Sequence, residues 1–229
     1  MSNPSTTEIA FILDRSGSMQ SVTEAAITGF NQFLRDQQAS ETEGEGNARL
    51  TLVQFDDQYE MPIDNLPVSE VVCLDTTTYV PRGMTALLDA VGITIKAFKK
   101  RIKNLPKDKR PDQVVFAIFT DGLENSSARY SWSDIARKIK KRRKKDGWEF
   151  LFLGANQDAI ATAAQMNIDH RNAATSDYSG KGVRSSSRAF SRRIRAMKQS
   201  NMDACQETPV DLNTSLSELL DDEEKRDEG

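Results

Sequence analysis

Histidine occurs once in the 229 residues, at His170, and cysteine twice, at Cys73 and Cys205. That scarcity argues against a metal centre built on imidazole or thiolate. It also leaves no Cys/His or Ser/His pair well placed for nucleophilic catalysis. Two cysteines are too few for a disulfide framework, and neither sits in a metal-type pair. The chain therefore reads as reduced and cytoplasmic. Long apolar runs are missing too: IAFIL is far too short to cross a bilayer, and no other stretch qualifies. The start, MSNPSTTE, has neither a basic region nor an apolar core, so no signal peptide is expected. There is no G-x-x-x-x-G-K-S/T loop for a nucleotide, and no G-x-G-x-x-G after the first strand. A formal net charge of −3 gives the whole chain no general attraction for nucleic acid.

What is present is a globular composition, 38% hydrophobic and 28% charged. Short apolar runs that end at turns predict strands at TEIAFILD (7–14), ARLTLVQFDD (48–57), DQVVFAIFTDG (112–122) and WEFLFLGAN (148–156). QYEMPIDNL (58–66) reads as an edge hairpin partner, because Pro62 argues against a central place. HRNAATS is a candidate last edge strand. Helical spacing predicts helices over 21–38, 85–102, 131–147, 157–167 and 183–200. Ser21 with Glu24 predicts a capping box, and Ser133 an N-cap. This alternation implies an α/β fold: a doubly wound, Rossmann-like, mostly parallel central sheet. Helices cover both faces, and one edge strand is antiparallel. One domain over 1–200 and a flexible acidic tail over 201–229 are expected.

In such sheets ligands bind beyond the carboxyl ends of the strands, near the switch point of strand order. FILDRSGSM places Asp14, Ser16 and Ser18 there, with Gly17 easing the turn. FTDGLEN places Asp121 there, and PRGMTAL supplies Thr85. If the first strand and the strand at 112–120 are neighbours, all five converge. All offer oxygen only, which suits Mg²⁺, Mn²⁺ or Ca²⁺ and disfavours zinc and copper. Hydroxyl ligands are neutral and take little charge off a cation. If the carboxylates act through water, the cation stays electrophilic.

The ordered set D-x-S-x-S, Thr in a G-x-T loop, and T-D-G after an apolar strand resembles the von Willebrand factor type A domain with its metal-ion-dependent adhesion site. The resemblance spans about residues 5 to 200. It implies Ser16, Ser18 and Thr85 as direct ligands, and Asp14 and Asp121 acting mostly through water. It also implies a last position open to an acidic residue of a partner protein. Within that family, the absence of a signal peptide points to the intracellular assembly or chaperone-type members.

Other features read more plainly. Asp56 and Asp57 are expected as turn residues, Asn156 and Asp158 as turn and capping residues, and His170 as a surface residue. Glu124, Asn125 and Ser126 share the rim of the site, as partner-choosing or solvated residues. KIKKRRKK (138–145) reads as a solvated face outside Ile135 and Ile139. The last helix repeats the theme with Arg184, Arg188, Arg192, Arg193, Arg195 and Lys198. No aromatic stacking pattern accompanies either run, so nucleic acid is disfavoured. These faces suit acidic partners, the chain's own tail among them.

Residues 211–229 hold eight acids and two bases, leaving +3 for the rest. Leu212, Leu216, Leu219 and Leu220 give the tail a helical apolar stripe that suits docking on a partner or a neighbouring copy. The resulting expectation is a non-enzymatic, metal-dependent protein-binding module. The alternatives are a metal-dependent phosphohydrolase, against which Ser16 stands where a second Asp is needed, and a nucleic-acid-associated protein using the basic helices.

Overall fold

The structure, a computed structural model, describes residues 5–121, 123–155, 159–177, 179–202 and 210–226. Six strands form one sheet: β1 Thr6–Asp14, β2 Asn47–Phe55, β3 Tyr59–Pro67, β4 Gln113–Thr120, β5 Glu149–Ala155 and β6 Ala173–Ser176. Their spatial order is β3-β2-β1-β4-β5-β6. Every pairing is parallel except β2 with β3, which is antiparallel and lies at an edge, where Pro62 and Pro67 are tolerated. Strand order reverses between β1 and β4, so the switch point falls between their carboxyl ends. The fold expected from the sequence is the fold observed.

Alternation along β1 explains the two layers. Ile9, Phe11 and Leu13 point to one face, Ala10 and Ile12 to the other. On the first face lie α1 (Thr23–Thr42), α5 (Gly180–Met202) and α7 (Leu216–Arg226). Phe11 meets Phe30, Phe33 and Phe190 there, with ring centroids 5.3, 4.9 and 6.0 Å away. The other face carries α2 (Leu87–Asn104), α3 (Trp132–Asp146) and α4 (Ala159–Gln165). Phe116 stacks there between Trp148 and Phe150. These rings bury large apolar areas in offset and edge-on contacts, the geometries aromatic pairs favour.

Three local expectations are corrected. The first helix does not begin in a capping box at Ser21. Residues Gly17–Val22 form a 3₁₀ turn, and α1 starts at Thr23 with no side-chain cap. The tighter turn keeps Ser18 beside the end of β4, as described below. The N-cap of α3 is Ser131, not Ser133; Ser131 and Asp134 form a reciprocal capping box, and Gly147 ends the helix in the left-handed conformation. The tail is also not a flexible segment over residues 210–226. Its residues form α6 (Val210–Asn213) and α7, and Leu216, Leu219 and Leu220 are buried in the α1–α5 face of the core. Ionic partners on α5 offset the acidity. Arg192 forks onto both carboxylate oxygens of Asp211, and Arg188 and Arg192 both reach Glu223 at 3.0 Å. The leucine stripe thus packs on its own chain. Asn156 and Asp158 lie outside the described residues.

Candidate metal centre

The apolar run of β1 ends at Asp14, where both carboxylate oxygens find donors. Oδ1 accepts the N–H of Ser16 at 2.7 Å, and Oδ2 accepts the hydroxyl of Thr120 at 2.5 Å. The Tyr79 hydroxyl donates to the Asp14 carbonyl at 2.6 Å. Asp14 is fully buried. Burial raises its carboxyl to about 6, although the Thr120 and Ser16 hydrogen bonds pull it down. The turn then sets Ser16 Oγ 3.0 Å from Ser18 Oγ, and Ser18 Oγ donates to Asp121 Oδ1 at 2.9 Å. Asp14, Ser16, Ser18 and Asp121 form one linked set across the switch point.

Thr85 is placed by its backbone. Its N–H donates to Asn125 Oδ1 at 2.9 Å, and its carbonyl accepts the N–H groups of Asn125 and Ser126. The preceding residues are stitched to the β1 turn: Gly17 N–H donates to the Gly83 carbonyl at 3.1 Å, and Arg82 N–H to the Arg15 carbonyl at 2.7 Å. Gly83 has φ +68°, a conformation that strains any other residue, and a Cβ there would also press on Asp57 and Asp56 of the β2–β3 turn. All five expected residues stand at one end of the sheet. Four are joined through side chains, and the fifth is held beside them. Gly122 of the T-D-G stretch lies outside the described residues.

Several supporting residues were missed from sequence. Thr120 is one; it follows Phe119, which pairs with Leu13, so the residue-by-residue register of β1 and β4 brings it next to Asp14. A second is the ion cluster under the site. Arg15, only 5% exposed, binds the fully buried Asp56 at 3.0 Å and Glu60 at 2.7 Å, and Arg82 binds the same two acids. The Glu60 hydrogen bond is the largest cause holding the Arg15 guanidinium above its ordinary range. Asp56 is a turn residue, as expected, through Gln58 N–H, and an anchor as well. Glu124 faces inward, accepting the N–H groups of Leu88, Ser126 and Ser127. Exposed His170 precedes β6, at the far end of the sheet.

The donor set fits a hard divalent cation. Two carboxylates and two hydroxyls meet within hydrogen-bond range, with Thr85 beside them and no imidazole or thiolate. Among the described residues no group of three or more His, Cys, Asp and Glu that could hold a metal is assembled, here or elsewhere, so the set relies on its hydroxyls.

No family model matches this chain, and no curated protein does. Solved structures do. The von Willebrand factor domain of the type V pili tip protein Mfa5 from Porphyromonas gingivalis matches with TM-score 0.56 and 11% identity, over 92% of this chain and 99% of that one. The pilus adhesin SpaC from Lactobacillus rhamnosus GG matches with TM-score 0.60 and 15% identity, over 86% of this chain and 31% of the adhesin. The mussel byssus proximal thread matrix protein 1, solved with zinc in its MIDAS motif, matches with TM-score 0.55 and 15% identity, over 84% of this chain and 46% of that one. The chain spans a third to a half of the last two. At such identities the likeness shows the fold, that of the von Willebrand factor A-type domains. No helix among the described residues is long and apolar enough to cross a membrane.

Proposed function

We propose that this end of the sheet binds a divalent cation, Mg²⁺ first, and that the cation takes a carboxylate from a partner protein. Ser16, Ser18 and Thr85 would hold the ion, with Asp14 and Asp121 behind them. The supporting observation is the linked set Asp14–Ser16–Ser18–Asp121 across the switch point. The bound cation supplies a Lewis-acidic point for an incoming carboxylate. The chain supplies orientation: the Thr120 hydroxyl and Ser16 N–H fix the Asp14 carboxylate, and Asn125 fixes the Thr85 loop. The reading is of a binding site, not a catalytic one: both carboxylates are assigned to the ion, and among the described residues no histidine joins the hydrogen-bonded set. A cytoplasmic setting belongs to the same proposal, with Cys73 an exposed free thiol.

Calorimetric titration of the full chain with Mg²⁺, Mn²⁺, Ca²⁺ and Zn²⁺, beside Asp14→Ala and Ser16→Ala, tests it. One-site binding by wild type that both folded variants lose supports the site. Wild type silent at millimolar metal, or variants that bind as wild type does, overturns it. Zn²⁺ outcompeting Mg²⁺ would correct the choice of ion.

A further inference from the structure

The opposite end of the sheet carries a second concavity, unrelated to the oxygen cluster. A groove of about 570 Å³ lies between the carboxyl-terminal turns of α2 and α3, before the start of β4. Lys99 and Lys103 come from α2, Lys141 and Lys145 from α3, and Arg110 from the connection to β4. All five are exposed. The two acids of the groove are already engaged. Asp146 pairs with Arg142 at 2.5 Å, and Asp112 accepts the N–H of Thr6 at 2.8 Å. The floor is apolar, formed by half-buried Ile102 and Pro111 over the buried Val114 and Trp148.

Basic residues in a last helical turn often do no more than answer the helix dipole. Lys99 and Lys141 lie further back along their helices, and that role does not require lysines of two helices to converge on one hollow. The arrangement holds positive walls over an apolar floor. A phosphate backbone would use the walls and waste the floor. Trp148 is 4% exposed and already stacked on Phe116 at 5.5 Å, so it offers no face to a base.

We infer that this groove is a docking site for an acidic polypeptide segment that carries an apolar side chain, and that it acts independently of the metal centre. Glutamates or aspartates meet the lysine walls while the apolar side chain covers Ile102 and Pro111.

The test is fluorescence anisotropy of the full chain with a short labelled glutamate peptide bearing one central phenylalanine. The comparison ligands are the same peptide with serine for the phenylalanine, and a short DNA duplex. Saturable binding is expected, weakened at least about tenfold by Lys99→Glu with Lys141→Glu and Lys145→Glu. The serine peptide should bind more weakly, and EDTA and Asp14→Ala should change nothing. Because the lysines are exposed, the variants should keep the wild-type melt; a milder Lys141→Gln, Lys145→Gln pair serves if they do not. No binding, binding indifferent to the lysines or to the phenylalanine, or tighter binding of the duplex overturns the inference. Loss of binding in EDTA also overturns it, by moving the event to the other end of the sheet.

Discussion

α3 and α5 have similar basic compositions and opposite uses. In α3 most cations of KIKKRRKK point to solvent; Arg142 is the buried one, with its guanidinium 5.7 Å from the centre of the Trp148 ring. In α5 the cations are structural. Arg193 and Lys198 are each 2% exposed, Arg192 and Arg188 hold α6 and α7, and Arg195 reaches Glu43 and Glu45. The cause is position. α5 is packed between α1 and α7, whereas the outer face of α3 is uncovered. A run of basic residues thus does not declare its role. What decides is whether another element covers it and brings acceptors.

Arg193 makes the comparison sharpest. Its guanidinium donates to the carbonyls of Asp211, Leu212, Thr214 and Arg171, tying the tail to the sheet edge. Arg193→Ala leaves those carbonyls without their donor and opens a void. We expect a loss of about 3 to 4 kcal/mol in urea unfolding, with faster amide exchange in α7. A loss below about 1 kcal/mol would place α5 with α3 and remove the contrast.

Lys198 gives the next largest effect, with a pH signature. Its amine donates to Ser40 Oγ at 2.9 Å, and burial pulls its pKa from the ordinary 10.5 to about 8. The folded amine gives up its proton more readily than the unfolded one. Between pH 8 and 10.5 the unfolded chain therefore holds a proton the folded chain lacks, and stability rises with pH across that window. Lys198→Met should flatten the rise and add about 2 kcal/mol at neutral pH. Urea midpoints taken from neutral to alkaline pH for both proteins decide it. Parallel profiles would mean that the amine is not desolvated.

Much of this frame was legible in the primary structure, because local chemistry carries it. The runs ending at Asp14 and Thr120–Asp121 mark parallel strands, and oxygen-bearing turns after them mark the candidate site. Pro62 correctly demoted β3 to an edge. What escaped depends on partners far away in sequence. Thr120 matters only once β1 and β4 are in register. The bond between Arg15 and Asp56 spans 41 positions. The tail was legible in part: its leucine stripe and its suitability for the basic faces could be read, but its order depends on buried leucines and on the cations of α5 that only the fold brings to it. Ser133 and Ser131 are equally good caps by residue type. Asp134, three residues beyond Ser131, completes the box that selects the earlier one.

Glu223 tests the tail's side of the contact. It is 3% exposed and lies among Arg188, Arg192 and Arg226. Glu223→Gln keeps the shape and removes the charge, and we expect a loss of about 2 kcal/mol. Because the pair is buried, the loss should persist in high salt. An effect abolished by salt would mean that α7 is held from the surface.

The smallest effect is expected from α3. Lys140 and Lys144 are exposed and lie one turn apart on its outer face. Replacing both by alanine removes like-charge repulsion at i,i+4 and improves helix propensity slightly, so stability should move by no more than about 0.5 kcal/mol. The measurement is the same urea midpoint, set beside that of Arg142→Ala. Arg142 belongs to the same run but is 6% exposed and paired with Asp146. Its loss should cost about 1 to 2 kcal/mol, through packing against Trp148 as much as through charge. A lysine pair that cost as much as Arg142 would show that α3 too is structural, and position would no longer explain why two basic helices behave differently.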